Sequence, residues 1–222
     1  MNGFMKNENN MNAPSISLDR HTSFGLHGLK PVERLGVWMS HRAVARILSR
    51  YEKPRILDLG SGYSCRLIKY FNHVRGDSCA VDIQLDPELT KTSGLTLIES
   101  TIEDSWPKLT LEYFDVITMI NVLEHVWEPQ TILQEAALRL RPGGTLVINV
   151  PTWLGKAAHE LQAFRLGLSS PIEIDDHKRY YNKEDLWPML VKAGFKPSRI
   201  KQRYHKFKLN LFSTAQRTPD AK

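Results

Sequence analysis

The sequence has little that would place the protein outside the cytosol. It contains two cysteines, Cys65 and Cys79, whose spacing fits neither a metal-ligand pair nor a disulfide framework. It has no apolar run of about 18 residues, which a membrane-spanning helix would require. Residues 1–12 are polar and rich in asparagine, unlike a secretion signal. We therefore expect a cytoplasmic protein with no secretion signal and no membrane span.

Two chemical signatures are missing as well. The pair Gly143–Gly144 is not followed by the lysine and the serine or threonine with which a phosphate-binding loop holds phosphate and magnesium, so we interpret it as a turn into a strand. No group of histidine, cysteine and aspartate residues has the spacing of metal ligands. We therefore expect no metal site.

The composition is that of one globular domain. With 222 residues, of which 41% are hydrophobic, the chain is long enough for one full core and too short for two large ones. Residues 1–20 are poor in large apolar side chains, so we expect them to form a flexible tail. Residues 21–222 are then the single domain.

The net charge of +6 is concentrated late in the chain. The basic residues there are Lys196, Arg199, Lys201, Arg203, Lys206 and Lys208. They form either a strip that attracts phosphate groups or anionic lipid headgroups, or a solvated strand face on which lysines discourage edge-to-edge pairing. The second interpretation is the simpler one.

Strand-like and helix-like patterns alternate from residue 31 onward. The predicted strands are Arg55–Leu59, Ser78–Asp82, Leu95–Glu99, Phe114–Ile120, Thr145–Val150, Ile200–Tyr204 and Leu209–Ala215. The predicted helices are Pro31–Tyr51, Cys65–Asn72, Gln130–Leu140 and one that Asn182 caps and that runs to Ala193. The alternation predicts a parallel sheet flanked by helices, and the last two strands, with no helix between them, predict an antiparallel element.

The most informative stretch is a buried strand that ends in a carboxylate and two glycines. Gly60 and Gly62 can adopt positive φ and let backbone N–H groups approach a ligand closely. Asp58 places a negative charge just before this turn. Asp82 ends the next strand, some 20 positions after Gly60, where an acid commonly binds ribose hydroxyls. The pattern predicts a nucleoside-binding half-site.

Two cofactor classes compete for this half-site. A dinucleotide fingerprint would need glycine or alanine where this chain has Cys65, and it has no use for a carboxylate before the glycines. S-adenosylmethionine carries a ribose, an α-ammonium and a sulfonium, so Asp58 would face a cation directly or through water. The residues favour S-adenosylmethionine and leave an NAD-linked oxidoreductase as the lesser alternative.

Four motifs follow one another along the chain. They are Ile56–Gly62, Val81–Ile83, Phe114–Val126 and Leu140–Gly144. In this order they resemble the class I S-adenosylmethionine-dependent methyltransferases, over roughly residues 56–215. The resemblance implies an α/β fold: a Rossmann-like, doubly wound, mostly parallel seven-stranded sheet with one antiparallel strand near the C-terminus and helices on both faces.

The resemblance also implies roles for single residues. Gly60 and Gly62 would contact the methionine and ribose portions of the cofactor. Asp82 would bind the ribose hydroxyls, and Ile83 would pack against adenine. Asn121, at the end of the fourth strand, would face the methionyl end.

At two positions this chain departs from the family pattern. Many relatives carry an acid after the third strand that binds the adenine amino group. Here Thr101 and Ile102 hold that place, with Glu103 and Asp104 following, and we keep the first two as cofactor-binding candidates. Ser64 stands where some relatives have a third glycine.

The later part of the chain narrows the resemblance. Asp176–Leu186, Ala193–Phe195 and Leu209–Phe212 resemble a branch of small bacterial methyltransferases that act on glycans, lipid-linked sugars or small metabolites. In that branch the acceptor pocket is built by the first helix and by an insert after the fifth strand. Residues 21–52 would be this helical cap and residues 151–182 the insert. We expect O-methylation of a small-molecule or glycan acceptor, with peripheral contact to a membrane-linked substrate as one option.

Methyl transfer is an in-line displacement at a carbon that the sulfonium already activates, so the enzyme chiefly aligns the two reactants and excludes water. A hydroxyl acceptor also needs a base, and histidine has a suitable pKa. His177, in the insert, is the first candidate and His125, after the fourth strand, is the second. Each also has a structural interpretation, as a residue that pins its loop through hydrogen bonds.

Two further functions stay open. An RNA or nucleotide methyltransferase would suit the basic charge, but the fourth strand lacks the Asn/Asp-Pro-Pro-Tyr/Phe type of sequence that often accompanies methylation of base amino groups. A non-catalytic, S-adenosylmethionine-binding regulatory partner would carry the same cofactor motifs without turnover.

Overall fold

The computed structural model describes Phe24, residues 31–160 and residues 177–219. The strands are β1 Ile56–Leu59, β2 Ser78–Asp82, β3 Leu95–Glu99, β4 Phe114–Ile120, β5 Leu140–Pro151, β6 Ile200–His205 and β7 Asn210–Gln216. The helices are α1 Pro31–Leu48, α2 Arg66–Tyr70, α3 Ile102–Ser105, α4 Pro129–Arg139, α5 Trp153–Glu160 and α6 Lys183–Lys192. The predicted tail, residues 1–20, and residues 161–176 of the predicted insert lie outside the described residues.

All seven strands form one sheet in the order β3-β2-β1-β4-β5-β7-β6. Strands β1 to β5 pair in parallel, whereas β7 is antiparallel to both β5 and β6. Only β7 is therefore reversed, which confirms the predicted fold class. The chain moves outward from β1 to β3 and then returns to place β4 on the other side of β1. The crevice at the carboxyl ends of β1 and β4 is the position where ligands bind in open α/β sheets.

The central strands are buried on both faces. Alternate side chains of β4 enter different cores: Ile117 and Met119 pack on the side of α4 and α6, and Val116 packs on the side of α1 and α2. A strand covered by helices on both faces needs a continuous apolar run rather than an alternating one. That is why β1 and β4 could be recognised from their sequences.

The start of α6 agrees with its predicted cap. The side chain of Asn182 accepts a hydrogen bond from the backbone of Asp185, and the Asp185 carboxylate accepts one from the backbone N–H of Asn182. The helix ends at Lys192, and Gly194 follows at φ 98°. Both predicted boundaries of this helix are confirmed.

Strand β5 begins earlier than predicted. It starts at Leu140, which pairs with Phe114, and the register then shifts so that Thr145 pairs with Val116. Residues 142–144 were interpreted as a turn before the strand, but they form an irregular section inside it. A Cβ atom on Gly144 would lie 3.0 Å from the carbonyl oxygen of Phe114, so the close approach of two backbones explains the glycine.

Two helices are shorter than predicted. Helix α1 ends at Leu48 rather than Tyr51, and its apolar side chains are only partly buried, because Leu35 is 54% exposed. Helix α2 begins after Cys65, whose φ of 44° is left-handed and incompatible with a helical residue. None of the described helices is long and apolar enough to cross a membrane.

Candidate cofactor and active site

The turn after β1 is tied to the neighbouring strand. Gly60 and Gly62 have φ of 68° and 72°. The backbone N–H groups of Gly60 and Ser61 both donate to the carbonyl oxygen of Val81, at 2.8 and 3.1 Å. A Cβ atom on Gly60 would lie 2.4 Å from Cγ2 of Val122, closer than real Cβ contacts. The turn therefore requires glycine at position 60 for both conformation and space.

A residue from before α1 packs directly on this turn. The N–H of Tyr63 donates to the carbonyl oxygen of Phe24 at 3.0 Å. The same oxygen would lie 3.0 Å from a Cβ atom on Gly62. The second glycine thus leaves room for the backbone of Phe24.

Asp82 is held at the carboxyl end of β2 by two backbone groups. Its Oδ2 accepts from the N–H of Gly62 at 2.8 Å, and its Oδ1 accepts from the N–H of Ile83 at 2.9 Å. Each carboxylate oxygen has a second lone pair with which it can accept another hydrogen bond. This fixed carboxylate suits a ligand with two neighbouring hydroxyls, as the ribose of an adenosyl group has.

Asp58 is a buried carboxylate with one hydroxyl partner. Its Oδ1 accepts from Oγ1 of Thr118 at 2.5 Å, and the residue is 3% exposed. Burial raises the pKa of Asp58 to about 7, the Thr118 hydrogen bond lowers it and the charge of Asp82 raises it further. The ionised form lacks a nearby cation among the described residues. The α-ammonium of S-adenosylmethionine would provide one, so the site fits this cofactor.

The residues predicted at the adenine end have other contacts. Thr101 is the N-cap of α3: its Oγ1 accepts from the N–H of Asp104 at 3.1 Å and donates to Oδ2 of Asp104 at 2.9 Å. Ile102 is partly buried against the core.

Glu99, which sequence reasoning missed, accepts a hydrogen bond from the N–H of Leu85 at 2.8 Å and so shapes the loop after Ile83. Its position at the end of β3 was the signal that could have identified it.

Asn121 belongs to a group of three amides at the edge of the sheet where β4 and β5 end and the antiparallel β7 begins. Its φ is 56°, and its Oδ1 accepts from Nδ2 of Asn149 at 3.0 Å and from Nδ2 of Asn210 at 3.4 Å. Sequence reasoning missed Asn149 and Asn210, although Asn149 is a polar residue within the apolar run 146–150 of β5. The two hydrogen bonds fix the position of the Asn121 side chain.

His125 and His177 come together although they are far apart in the sequence. Their ring centroids are 4.8 Å apart. The carbonyl oxygen of Glu124 accepts from the backbone N–H groups of Lys178 and Arg179, at 2.8 and 3.3 Å, and this joins the two segments. The predicted pair of candidate bases therefore forms one cluster.

A buried carboxylate completes this cluster. Glu124 is 1% exposed, and ligand atoms of Glu124, His125 and His177 all lie within 4.8 Å of one another. Nδ1 of His177 is 3.1 Å from Oη of Tyr180. Sequence reasoning compared neighbours in the chain, whereas the fold brings His177 from another segment to Glu124 and His125.

A cavity of about 560 Å³ adjoins the cluster. Its lining includes Trp153, Lys156, His177, Tyr180 and Met189. The rings of Trp153 and Tyr180 lie 5.5 Å apart and form an aromatic wall.

Comparison with known proteins identifies the family. The methyltransferase-domain family matches residues 36–199, well over half of the chain. A ubiquinone biosynthesis O-methyltransferase of Xanthomonas campestris pv. campestris is 30% identical over 134 residues, which are 56% of this chain and 51% of that protein. The corresponding protein of Aeromonas salmonicida is 29% identical over 153 residues, with coverage of 63% and 62%. The chain thus spans about half to two thirds of the length of these relatives.

Solved structures share the fold. The Burkholderia thailandensis 1,6-didemethyltoxoflavin-N1-methyltransferase, solved with bound 1,6-didemethyltoxoflavin and S-adenosylhomocysteine, has a TM-score of 0.61 at 20% identity and covers 84% of this chain and 83% of its own. A methyltransferase from Thermotoga maritima has a TM-score of 0.57 at 15% identity, covering 84% and 96%. With the four motifs in order and the family match over residues 36–199, the chain belongs to the methyltransferase-domain family, and its fold is that of the class I S-adenosylmethionine-dependent methyltransferases.

Proposed function

We propose that the protein transfers the methyl group of S-adenosylmethionine to an oxygen of a small-molecule or glycan-type acceptor. The observation that carries this proposal is the half-site at the crevice between β1 and β4. There the glycine turn, a fixed carboxylate at Asp82 and a buried carboxylate at Asp58 meet the requirements of an adenosyl group with an α-ammonium. The bound cofactor supplies a methyl carbon activated by its sulfonium.

Each side chain of the half-site has a distinct task. Asp82 accepts hydrogen bonds from the ribose hydroxyls, and the backbone around Gly60 and Gly62 lies against the methionine and ribose portions. Asp58 becomes ionised and balances the α-ammonium, directly or through water. Thr101 and Ile102 stay candidates for the adenine end, where Ile83 would pack against the ring.

The acceptor is assigned to the cavity that Trp153, His177 and Tyr180 line. Two residues of its wall, Trp153 and Tyr180, are aromatic and suit a small cyclic molecule. The curated relatives are named as O-methyltransferases of ubiquinone biosynthesis, which favours oxygen as the acceptor atom here. In this proposal residues 21–52 and 151–182 of one domain, residues 21–222, form the acceptor side.

The proton of a hydroxyl acceptor is assigned to the histidine cluster. His177 lines the cavity, and its hydrogen bond to Tyr180 fixes the orientation of its ring. His177 is therefore the first candidate base and His125 the second. A cytoplasmic location stays part of the proposal, since Cys65 and Cys79 are both unbridged and buried.

Titration of S-adenosylhomocysteine into the purified chain tests the cofactor site. We expect one binding site, and we expect Asp82→Ala to weaken binding about 100-fold, because hydrogen bonds to a charged group contribute about 1.5–3 kcal/mol each. Asp86→Ala is the matched control, since Asp86 only caps a short surface helix at Pro87–Lys91. Equal affinity of Asp82→Ala and the parent would reject the half-site.

Turnover separates the remaining alternatives. Formation of S-adenosylhomocysteine in the presence of a small-molecule cell extract would distinguish an enzyme from a regulatory partner. Activity that depends on added RNA and falls steeply with salt would indicate a nucleic-acid substrate. Selective thermal protection by NAD, and not by S-adenosylhomocysteine, would favour the oxidoreductase.

A further inference from the structure

One carboxylate and two imidazoles converge beside the acceptor cavity. Their ligand atoms, from Glu124, His125 and His177, lie within 4.8 Å of one another. A cation that is bound at about 2.0–2.2 Å by three such atoms holds them roughly 3.4 Å apart. Side-chain adjustments of about 1 Å would therefore close the three donors around one ion.

The backbone prepares this arrangement. The N–H groups of Lys178 and Arg179 both donate to the carbonyl oxygen of Glu124, so the segment that carries His177 is fastened to the loop that carries the other two donors. A site assembled from two separately mobile loops would lose much of its affinity to ordering. Here that ordering is already built into the fold.

The surroundings of His177 match those of a metal ligand. Metal-bound histidines commonly use their other ring nitrogen for a hydrogen bond that sets the tautomer and the ring orientation. Nδ1 of His177 has such a contact with Oη of Tyr180 at 3.1 Å. With Nδ1 held by Tyr180, Nε2 would be the ring atom that binds the ion.

We propose that Glu124, His125 and His177 bind one divalent transition-metal cation at the edge of the acceptor cavity. Two imidazoles and one carboxylate suit Zn²⁺, Co²⁺ or Mn²⁺ better than Mg²⁺ or Ca²⁺, which prefer oxygen ligands. Glu124 is 1% exposed, and a bound cation would add to the positive charge that Lys206 already places near this buried carboxylate.

A bound ion would also activate the acceptor hydroxyl, and this role depends on the methyl transfer proposed above. Three protein ligands leave coordination positions open, and His177 lies on the cavity wall. An acceptor hydroxyl bound there releases its proton to water more readily, because the cation stabilises the oxyanion. The C–O bond forms as the S–C bond breaks, and neutral S-adenosylhomocysteine leaves. With the ion bound, His125 and His177 would act as ligands and the proton would go to water, so this step would replace their assignment as candidate bases in the proposed function.

Metal titration of the full chain tests the site without any acceptor. After treatment with a chelator, Zn²⁺ and Co²⁺ are titrated calorimetrically, with Mg²⁺ for comparison. We expect one Zn²⁺ per chain, tighter than Mg²⁺, and a visible Co²⁺ spectrum from nitrogen and oxygen ligands. His125→Ala and His177→Ala should each weaken Zn²⁺ binding at least about 100-fold, and Tyr180→Phe about 10-fold, as losses around metal sites do.

His73→Ala is the matched control, because His73 is an exposed histidine after α2, away from the cluster. It should leave Zn²⁺ affinity unchanged. Glu124→Gln is the third ligand variant, and the histidine variants keep the test valid if loss of the buried carboxylate prevents folding. Affinities that are equal in the parent and in both histidine variants would overturn the site, as would the absence of stoichiometric binding.

The simpler explanation of the cluster is electrostatic. Lys206, in the turn between β6 and β7, is a nearby cation, and the Glu124 charge raises its pKa while burial lowers that pKa to about 8. If Lys206 alone compensates Glu124, the chain binds no Zn²⁺ and the proposal is overturned.

Binding of S-adenosylhomocysteine is measured separately from metal binding. Loss of metal binding with intact cofactor binding rejects the metal site alone, and the reverse result rejects the cofactor site alone.

Discussion

Two buried aspartates on neighbouring strands have opposite environments. Asp115, at the start of β4, accepts from the N–H and Nε of Arg55 at 2.8 and 3.1 Å and from Nε of Arg141. Burial raises its pKa, but these hydrogen bonds outweigh burial and hold the pKa below its usual value. Asp58, at the end of β1, has the Thr118 hydroxyl, and burial raises its pKa to about 7. At the amino end of the sheet, the charge of Asp115 is neutralised by two arginines of the protein. At the carboxyl end, the charge of ionised Asp58 would be neutralised by a ligand.

The largest effect is expected at the carboxyl end of the sheet, from a substitution at Gly60. Gly60→Ala combines a left-handed φ with a contact of 2.4 Å to Val122. We expect a loss of about 3 kcal/mol in the free energy of unfolding, the sum of backbone strain and overpacking. Denaturant titration measures this loss, and affinity for S-adenosylhomocysteine should fall with it.

Gly194→Ala is the control for strain alone. Gly194 also has positive φ, 98°, but no atom lies within 4 Å of a Cβ placed there. Its loss should be about 1 kcal/mol. Equal losses in the two variants would show that the contact with Val122 contributes nothing.

Asp115→Ala removes the ion pairs with Arg55 and Arg141 at the amino end of the sheet. We expect a loss of about 2 kcal/mol in unfolding free energy, since two arginines lose their shared carboxylate but are partly exposed to solvent. S-adenosylhomocysteine affinity of the folded fraction should stay unchanged, because the site lies at the other end of the sheet. Glu103→Ala, at an exposed acidic residue, should change neither quantity. A large change in affinity would contradict the division of roles between the two ends.

The raised pKa of Asp58 should make both stability and cofactor affinity depend on pH. Its carboxyl keeps a proton in the folded chain up to about pH 7, whereas the unfolded chain releases it near its ordinary value of 3.8. Between these values the folded state binds more protons, so the stability of the ligand-free protein falls as pH rises from about 4 to 7. Cofactor binding requires the ionised form, so binding releases a proton below about pH 7 and affinity weakens toward acid.

Asp58→Asn should remove both effects. Unfolding measured from pH 5 to 8 should lose the Asp58 contribution to its slope, and the variant should be more stable than the parent at pH 8 while binding S-adenosylhomocysteine less tightly. Calorimetry in buffers of different ionisation enthalpy counts the released proton. An unchanged proton count in the variant would assign the titration to another group.

The sequence predicted the elements that local pattern determines. Strands β2, β3 and β4 have their predicted bounds. Strand β4 is covered on both faces and is a nearly continuous apolar run, whereas β3, at the edge of the sheet, is partly exposed and could be recognised from its β-branched and aliphatic residues with turn residues at its ends. The start of β5 was missed because Pro142 and two glycines are typical of a turn. Only the paired strand shows that this section lies inside the sheet. Leu35 fits the helical period of α1 yet is exposed, since periodicity does not reveal what packs against a helix.

The candidate site also contains residues that the local sequence pattern predicts and residues that only the fold brings together. Asp58, Gly60, Gly62 and Asp82 could be predicted because they end consecutive strands, and parallel strands bring such ends together. Their cofactor roles stay predictions, as do those of Ile83, Thr101, Ile102 and Asn121. The meeting of Glu124 with His177 could not be predicted, because backbone hydrogen bonds from Lys178 and Arg179 create it and such bonds leave no mark on the sequence.

The hydrogen bond from Tyr63 to Phe24 links the cofactor turn to a residue outside the sheet. Free-energy coupling between two such sites is reciprocal. A ligand that stabilises the turn should therefore also stabilise its contact with Phe24, and weakening this contact should lower the affinity for that ligand by the same free energy.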